Sequence, residues 1–136
     1  MAWPRFKFAN AKSIDEAADM LKKSNGRAAL IAGGTDLLHG FKDNIYSEYP
    51  ELVVNLRSAG EEYIKEDKNG VNISALTTLH SIETSDLLKN QYSVLAEAAS
   101  TVASPQIRNS GTLGGNICQE PRCWYYRNMD NMFNCL

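Results

Sequence analysis

Two short stretches and one set of thiols carry the residue types that can do chemistry in this chain. "IAGGTDL", Ile31 to Leu37, sets two glycines between an apolar run and a helix-like pattern. Gly33 and Gly34 have no side chains, so a ligand can reach the backbone N–H groups directly. A helix start after the glycines adds unpaired N–H groups and a positive dipole end, a combination that favours a phosphate. The stretch is neither G-x-G-x-x-G nor G-x-x-x-x-G-K-[ST], so the usual dinucleotide and nucleoside-triphosphate readings fail. Taken alone, it reads more simply as a tight strand-to-helix turn. "RNSGTLGGN", Arg108 to Asn116, repeats the theme. Gly111, Gly114 and Gly115 clear space, while Ser110, Thr112 and Asn116 offer short hydrogen-bonding groups. By itself it reads as a surface loop. One pyrophosphate held from both sides accounts for both loops.

The three cysteines, Cys118, Cys123 and Cys135, fall in the last nineteen residues with the spacing Cys-x4-Cys-x11-Cys. That spacing matches no common zinc-finger or ferredoxin pattern. An odd count in a reducing compartment argues against a disulfide framework. Three readings stand side by side: plain buried or free thiols, a zinc site lacking a fourth ligand, and an iron–sulfur cluster, which takes four thiolates. Trp124, Tyr125 and Tyr126 read as a shield over such a cluster or, more simply, as core aromatics. Arg122 and Arg127 read either as balancing charge beside a cofactor or as solvated loop residues. His39 and His80 read as ordinary helix histidines, and no nucleophile–base pair stands out.

The elements that must position these residues follow from periodicity and punctuation. Ser13 and Glu16 form a capping box ahead of Ile14, Ala17, Ala18 and Leu21 on one helical face. Gly26 suits the end of that helix. "AALIA" and "ELVVNL" read as strands, with a short helix between them capped by Thr35 and carrying Leu37, Leu38 and Phe41. "EYIKEDKNGVNISAL" reads as a hairpin turning at Asn69-Gly70. Helical spacing resumes after Thr78, Ser85 caps "DLLKN", and "SVLAEAASTVA" is an alanine-rich helix stopped by Pro105. The rest reads as loop. The order is that of an α+β protein, with a joint near residues 56–62.

The 136 residues suffice for one ordinary domain. A net charge of −2 with scattered basic residues gives no case for nucleic acid or an anionic membrane. No apolar run approaches the ~18 residues of a membrane span, and no signal-peptide pattern opens the chain. The expected location is cytoplasmic. The polar ending "NMDNMFNCL" suggests a chain that continues in a longer protein.

In their order and spacing, "IAGGTDL", "ISALTTLHSIE" and "PQIRNSGTLGGNI" resemble the FAD-binding subunit or domain of the molybdenum hydroxylases, the family of xanthine dehydrogenase and the medium subunit of carbon monoxide dehydrogenase. "FKFANAKSIDEAADML" resembles that family's first strand and helix, so the likeness covers residues 5–117. It implies an α+β, two-lobed FAD-binding fold of the vanillyl-alcohol-oxidase (PCMH) type, incomplete at the C-terminus, with FAD between the lobes. The implied division is 1–57 and 58–136, with a cysteine-containing insertion from about 117. Ala32, Gly33, Gly34, Thr35 and Asp36 would wrap the pyrophosphate, with Ile31 and Leu37 beside it. Gly111, Thr112, Gly114, Gly115 and Asn116 would close on the cofactor from the second lobe, and Thr77 would line the same cleft. Asp36 stands where the family often has a small polar residue. A carboxylate there is repelled by a pyrophosphate unless it turns away or caps the helix.

The insertion is similar to the β subunit of 4-hydroxybenzoyl-CoA reductase, which implies a [4Fe–4S] cluster in the full protein with Cys118, Cys123 and Cys135 as three of its ligands. The resemblance further implies electron transfer through FAD, in a complex with a molybdopterin-binding subunit and a [2Fe–2S] subunit or domain. Two other readings are kept: an interaction module without cofactor, and a stand-alone flavin oxidase.

Overall fold

The computed structural model describes residues 4–129 and 132–135. Asp130, Asn131 and Leu136, in the polar ending, lie outside the described residues. The chain forms two compact units, one of residues 1–60 and 119–136, the other of residues 61–118. The division implied by the resemblance places everything after residue 57 in one lobe. In the structure the segment after Cys118 makes its contacts within the first unit instead.

In the first unit, β1 (Lys7–Asn10), β2 (Ala28–Ile31) and β3 (Leu52–Asn55) form a parallel sheet in the order β1-β3-β2. Lys7 and Ala28 both pair with Leu52, so the central strand is the last of the three in sequence. β1 escapes periodicity because three of its four residues are exposed. The Asn55 amide donates to Asn10 across the pair at 2.8 Å. Helix α1 (Ile14–Lys23) starts on the expected Ser13 cap: Glu16 N–H donates to Ser13 Oγ, while the Glu16 carboxylate accepts from Lys12 N–H, one residue before the donor of a full capping box. Ala11, Ala17 and Val54 pack beneath it.

Helix α2 (Leu37–Asp43) carries Phe41, 1% exposed, into a cluster of rings with Phe6, Tyr46 and Tyr49. Its N-cap is Asp36, not Thr35, and the Asp36 side chain makes no capping bond.

In the second unit, β4 (Ile64–Asp67) and β5 (Gly70–Ile73) form the expected hairpin. The turn lies one residue earlier than the Asn-Gly signal suggested. Asp67 faces Gly70, Asp67 Oδ1 accepts from Asn69 N–H at 2.7 Å, and Gly70 follows the turn with φ +130°. Helices α3 (Leu79–Thr84), α4 (Asp86–Gln91) and α5 (Ser93–Ser100) pack Leu79, Ile82, Leu88, Ala96 and Ala99 into one core, covered by Ile64, Val71 and Ile73. Thr78 and Ser85 cap α3 and α4 as expected.

Pro105 does not merely stop a helix; it begins another. Ser104 caps α6 (Pro105–Ser110) and Pro105 occupies its first turn, where a missing N–H costs nothing. Thr112 then caps the short α7 (Leu113–Ile117). The stretch read as one loop is thus two brief helices joined at Gly111 and Thr112.

Candidate functional site

The first glycine loop leaves β2 at Ile31, and the Arg57 Nε donates to Ala32 O at 3.2 Å, fixing its start. Gly34 has φ +74°, a conformation that non-glycine residues adopt only with strain. A Cβ built there lies 3.1 Å from Ile31 Cδ1 and 3.2 Å from Leu38 Cδ1. The chain therefore turns sharply over two apolar side chains and enters α2. Among the described residues, no protein acceptor takes the backbone N–H of Gly34, Thr35 or Asp36. Consecutive donors without partners are unusual in a half-buried turn, and they suit a bound anion. Because α2 has only seven residues, these donors, rather than a macrodipole, carry the argument.

Asp36 turns its carboxylate away from the loop. Its Oδ2 accepts from Glu120 N–H at 2.8 Å, and its Oδ1 from Arg122 Nη1 and Arg127 Nη2, both at 2.7 Å. Burial alone would raise its pKa. The Glu120 N–H, then Arg127 and Arg122, outweigh burial and hold it below the ordinary carboxylate value. The charge that threatened the phosphate reading is thus neutralised from the far end of the sequence.

The segment that supplies this charge is itself braced. The Arg127 guanidinium also donates to Pro121 O and Glu120 O. The Tyr126 hydroxyl donates to Glu120 Oε2. Burial first, then that bond to a carboxylate, pushes the Tyr126 phenol up to about 12. Arg122 and Arg127 are therefore ion-pair partners rather than solvated loop residues. The aromatic residues also depart from expectation: Trp124 is 90% exposed and Tyr125 is 62% exposed, packed edge-on against Phe133, so neither is core.

The second glycine loop is built differently. Leu113 N–H donates to Thr77 O and Gly114 N–H to Ala75 O, both at 2.8 Å; Leu79 N–H donates to Gly111 O at 2.9 Å. Gly115 N–H goes to Thr112 Oγ1 and Asn116 N–H to Thr112 O. The loop spends its donors on its own neighbours, so its glycines answer a packing need. A Cβ at Gly114 would lie 3.0 Å from both the carbonyl oxygen and the Cβ of Ala75. Alanine at Gly114 is expected to cost about 1–3 kcal/mol of unfolding free energy, measured by chemical denaturation, because backbone rather than a pliable side chain stands in the way. Thr77, read as lining the cofactor cleft, is 1% exposed; its hydroxyl donates to Tyr63 O and accepts from Tyr63 N–H. Its task in this structure is to hold the hairpin to α3. Asn116 and the Thr112 N–H are what this loop still offers a ligand.

Cys118 ends the second unit, while Cys123 and Cys135 belong to the first, and all three are exposed. Among the described residues, no group of three or more His, Cys, Asp or Glu side chains could hold a metal ion. His39 pairs with Asp43 at 3.2 Å and His80 lies 3.8 Å from Glu83, both on exposed helix faces.

A loop of free N–H donors after a parallel strand, with its neighbouring carboxylate neutralised, fits the pyrophosphate of a dinucleotide cofactor. Comparison with known proteins bears on the fold and the cofactor. The family described as "FAD binding domain in molybdopterin dehydrogenase" matches residues 4–123. The chain belongs to this family. As an FAD-binding domain of molybdopterin dehydrogenases, it is 40% identical over 114 residues to the nicotinate dehydrogenase FAD-subunit of Eubacterium barkeri, covering 82% of this chain and 38% of that protein. It is 34% identical over 115 residues to the glyceraldehyde dehydrogenase medium chain of Sulfolobus acidocaldarius, covering 84% and 40%. Among solved structures, carbon monoxide dehydrogenase from Hydrogenophaga pseudoflava superimposes with a TM-score of 0.80 at 36% identity, over 86% of this chain and 40% of that one. The chain thus spans about two fifths of the length of these relatives. The α+β FAD-binding fold implied by the motifs is the fold observed, and FAD is the cofactor it serves. No helix among the described residues is long and apolar enough to cross a membrane.

Proposed function

We propose that the loop from Ala32 to Asp36, flanked by Ile31 and Leu37, holds the pyrophosphate of FAD, and that the protein is the FAD-binding electron-transfer part of a molybdopterin-dependent dehydrogenase. The observation that carries this reading is the run of free donors at Gly34, Thr35 and Asp36. Each such bond to an ionised phosphate is worth roughly 1.5–3 kcal/mol, so three of them are a substantial share of a cofactor's affinity. Bound FAD supplies the redox chemistry. The chain's own groups bind and orient it: the N–H donors face the phosphates, Gly34 lets the backbone turn over Ile31 and Leu38, and Arg57 fixes where the loop begins. Thr112 and Asn116, with Gly111, Gly114 and Gly115 shaping their loop, are proposed as further contacts to the cofactor.

The proposed partners in the cytoplasm are a molybdopterin-binding subunit and a [2Fe–2S] subunit or domain, a reading supported by relatives named as the FAD-subunit or medium chain of dehydrogenases. The test is titration of the purified protein with FAD, followed by flavin fluorescence and melting temperature. Saturable quenching with a rise in Tm is expected, since a ligand that binds only the folded state stabilises it. An unchanged Tm and unquenched flavin at high cofactor concentration would refute the assignment.

A further inference from the structure

The ion-pair cluster around Asp36 joins the cofactor loop to a segment 84 to 91 residues away in sequence. Asp36 belongs to both structures at once: its N–H faces the proposed anion, and its carboxylate is gripped by Glu120 N–H, Arg122 and Arg127. The side chains of Asp36 and Arg127 are only 16% and 14% exposed, so this pair is screened little by solvent. The local charge balances. Asp36 and Glu120 contribute −2, Arg122 and Arg127 contribute +2, and the sum is zero. Without Arg127, a net negative charge would stand next to donors meant for a phosphate.

We propose that Asp36 and Arg127 are positioning residues for the cofactor: their ion pair straps residues 119–127 to the loop Gly34–Asp36, so that FAD affinity and the order of the segment bearing Cys123 rise and fall together. This rests on the FAD assignment above. Linkage makes the coupling reciprocal: whatever factor the strap adds to FAD affinity, FAD adds to the strap. The segment that bears Cys123 therefore acts through its arginines.

The test uses the full chain and two readouts, FAD affinity by fluorescence and amide hydrogen exchange of residues 119–127. Arg127→Gln is expected to weaken FAD binding about tenfold and to speed exchange in the segment. Arg127→Lys keeps the charge but loses the bonds to Pro121 O and Glu120 O, and should fall between the two. In the unmodified protein, saturating FAD should slow exchange of 119–127 by a factor similar to the affinity lost in Arg127→Gln. The proposal is overturned if Arg127→Gln binds FAD within twofold of the unmodified protein, or if FAD leaves exchange of the segment unchanged. Failure of the unmodified protein to bind FAD at all sinks the parent assignment instead. Should Arg127→Gln not fold, Arg122→Gln at the more exposed partner gives the same comparison with a smaller shift, and no shift in either readout overturns the proposal.

Discussion

Replacing Arg108 by methionine is expected to lower the stability of the second unit by about 1–3 kcal/mol, one of the larger effects of any substitution outside the apolar core. Arg108 sits on α6 with its side chain 11% exposed. Its Nε and Nη2 grip both oxygens of Glu83 on α3, at 2.7 and 3.2 Å, and its Nη1 donates to Val102 O at 3.0 Å. One guanidinium thus ties together α3, the end of α5 and the helix that leads into the second glycine loop. A bidentate pair of this kind adds geometric specificity as well as energy. Methionine removes the cation and leaves the Glu83 carboxylate without its main partner. The Glu83 carboxyl, held below its ordinary value first of all by the Arg108 bond, would titrate closer to normal. Urea denaturation followed by circular dichroism reads the loss. Glu83→Gln should cost less, because its amide oxygen still accepts from Arg108. A methionine variant within 1 kcal/mol of the parent protein would mean that α6 is held by packing alone.

Valine at Gly34 is the second large effect, and it separates fold from function. The left-handed backbone at φ +74° disfavours any side chain, and a β-branched one most of all. The new methyls would also crowd Ile31 and Leu38. Strain and crowding together are expected to cost roughly 2–4 kcal/mol. To relieve them the loop must flip its peptide planes, which turns the Gly34 and Thr35 N–H groups out of line. FAD affinity should then fall by roughly a hundredfold, the equivalent of one or two charge-assisted bonds. Gly26→Ala is the control. It shares the positive φ, at +81°, but nothing lies within 4 Å of its Cβ and it is remote from the loop. It should lose stability while keeping FAD affinity. Equal loss of affinity in both variants would show that destabilisation, not loop geometry, governs binding.

What was legible in the sequence and what was not divides along a physical line. Helix α1, the hairpin and the caps of α3 and α4 rest on local signals, and those signals read true to within a residue. The turn at the first glycine loop was legible because adjacent glycines between an apolar run and a helical pattern mark a tight strand-to-helix turn. The strand β1 was not legible by pattern, since an exposed edge strand has no apolar alternation to show. The two short helices after Ser104 were missed because Pro105 was read as a stop, although Ser-Pro is also a helix start. The charge partners of Asp36 lie more than eighty residues away, and nothing local marks them. The structural role of Gly114 was hidden for the same reason: Ala75, the residue it must clear, comes from a different part of the chain. Cysteine spacing drew attention to the tail, but the residues there with work visible in the structure are Glu120, Arg122, Tyr126 and Arg127.

The order β1-β3-β2 also sets the sequence of folding events. β1 and β2 never touch each other; each waits for β3, whose pairing with β1 closes a span of 45 residues, from Lys7 to Leu52. Such closure is paid in chain entropy before any pairing rewards it. During synthesis the first two strands leave the ribosome with no sheet to join until residue 55 has emerged. The second unit has no such delay, because its hairpin closes over two residues and its helices pack with near neighbours. The first glycine loop, lodged at the end of β2, therefore takes its final shape only after the central strand arrives.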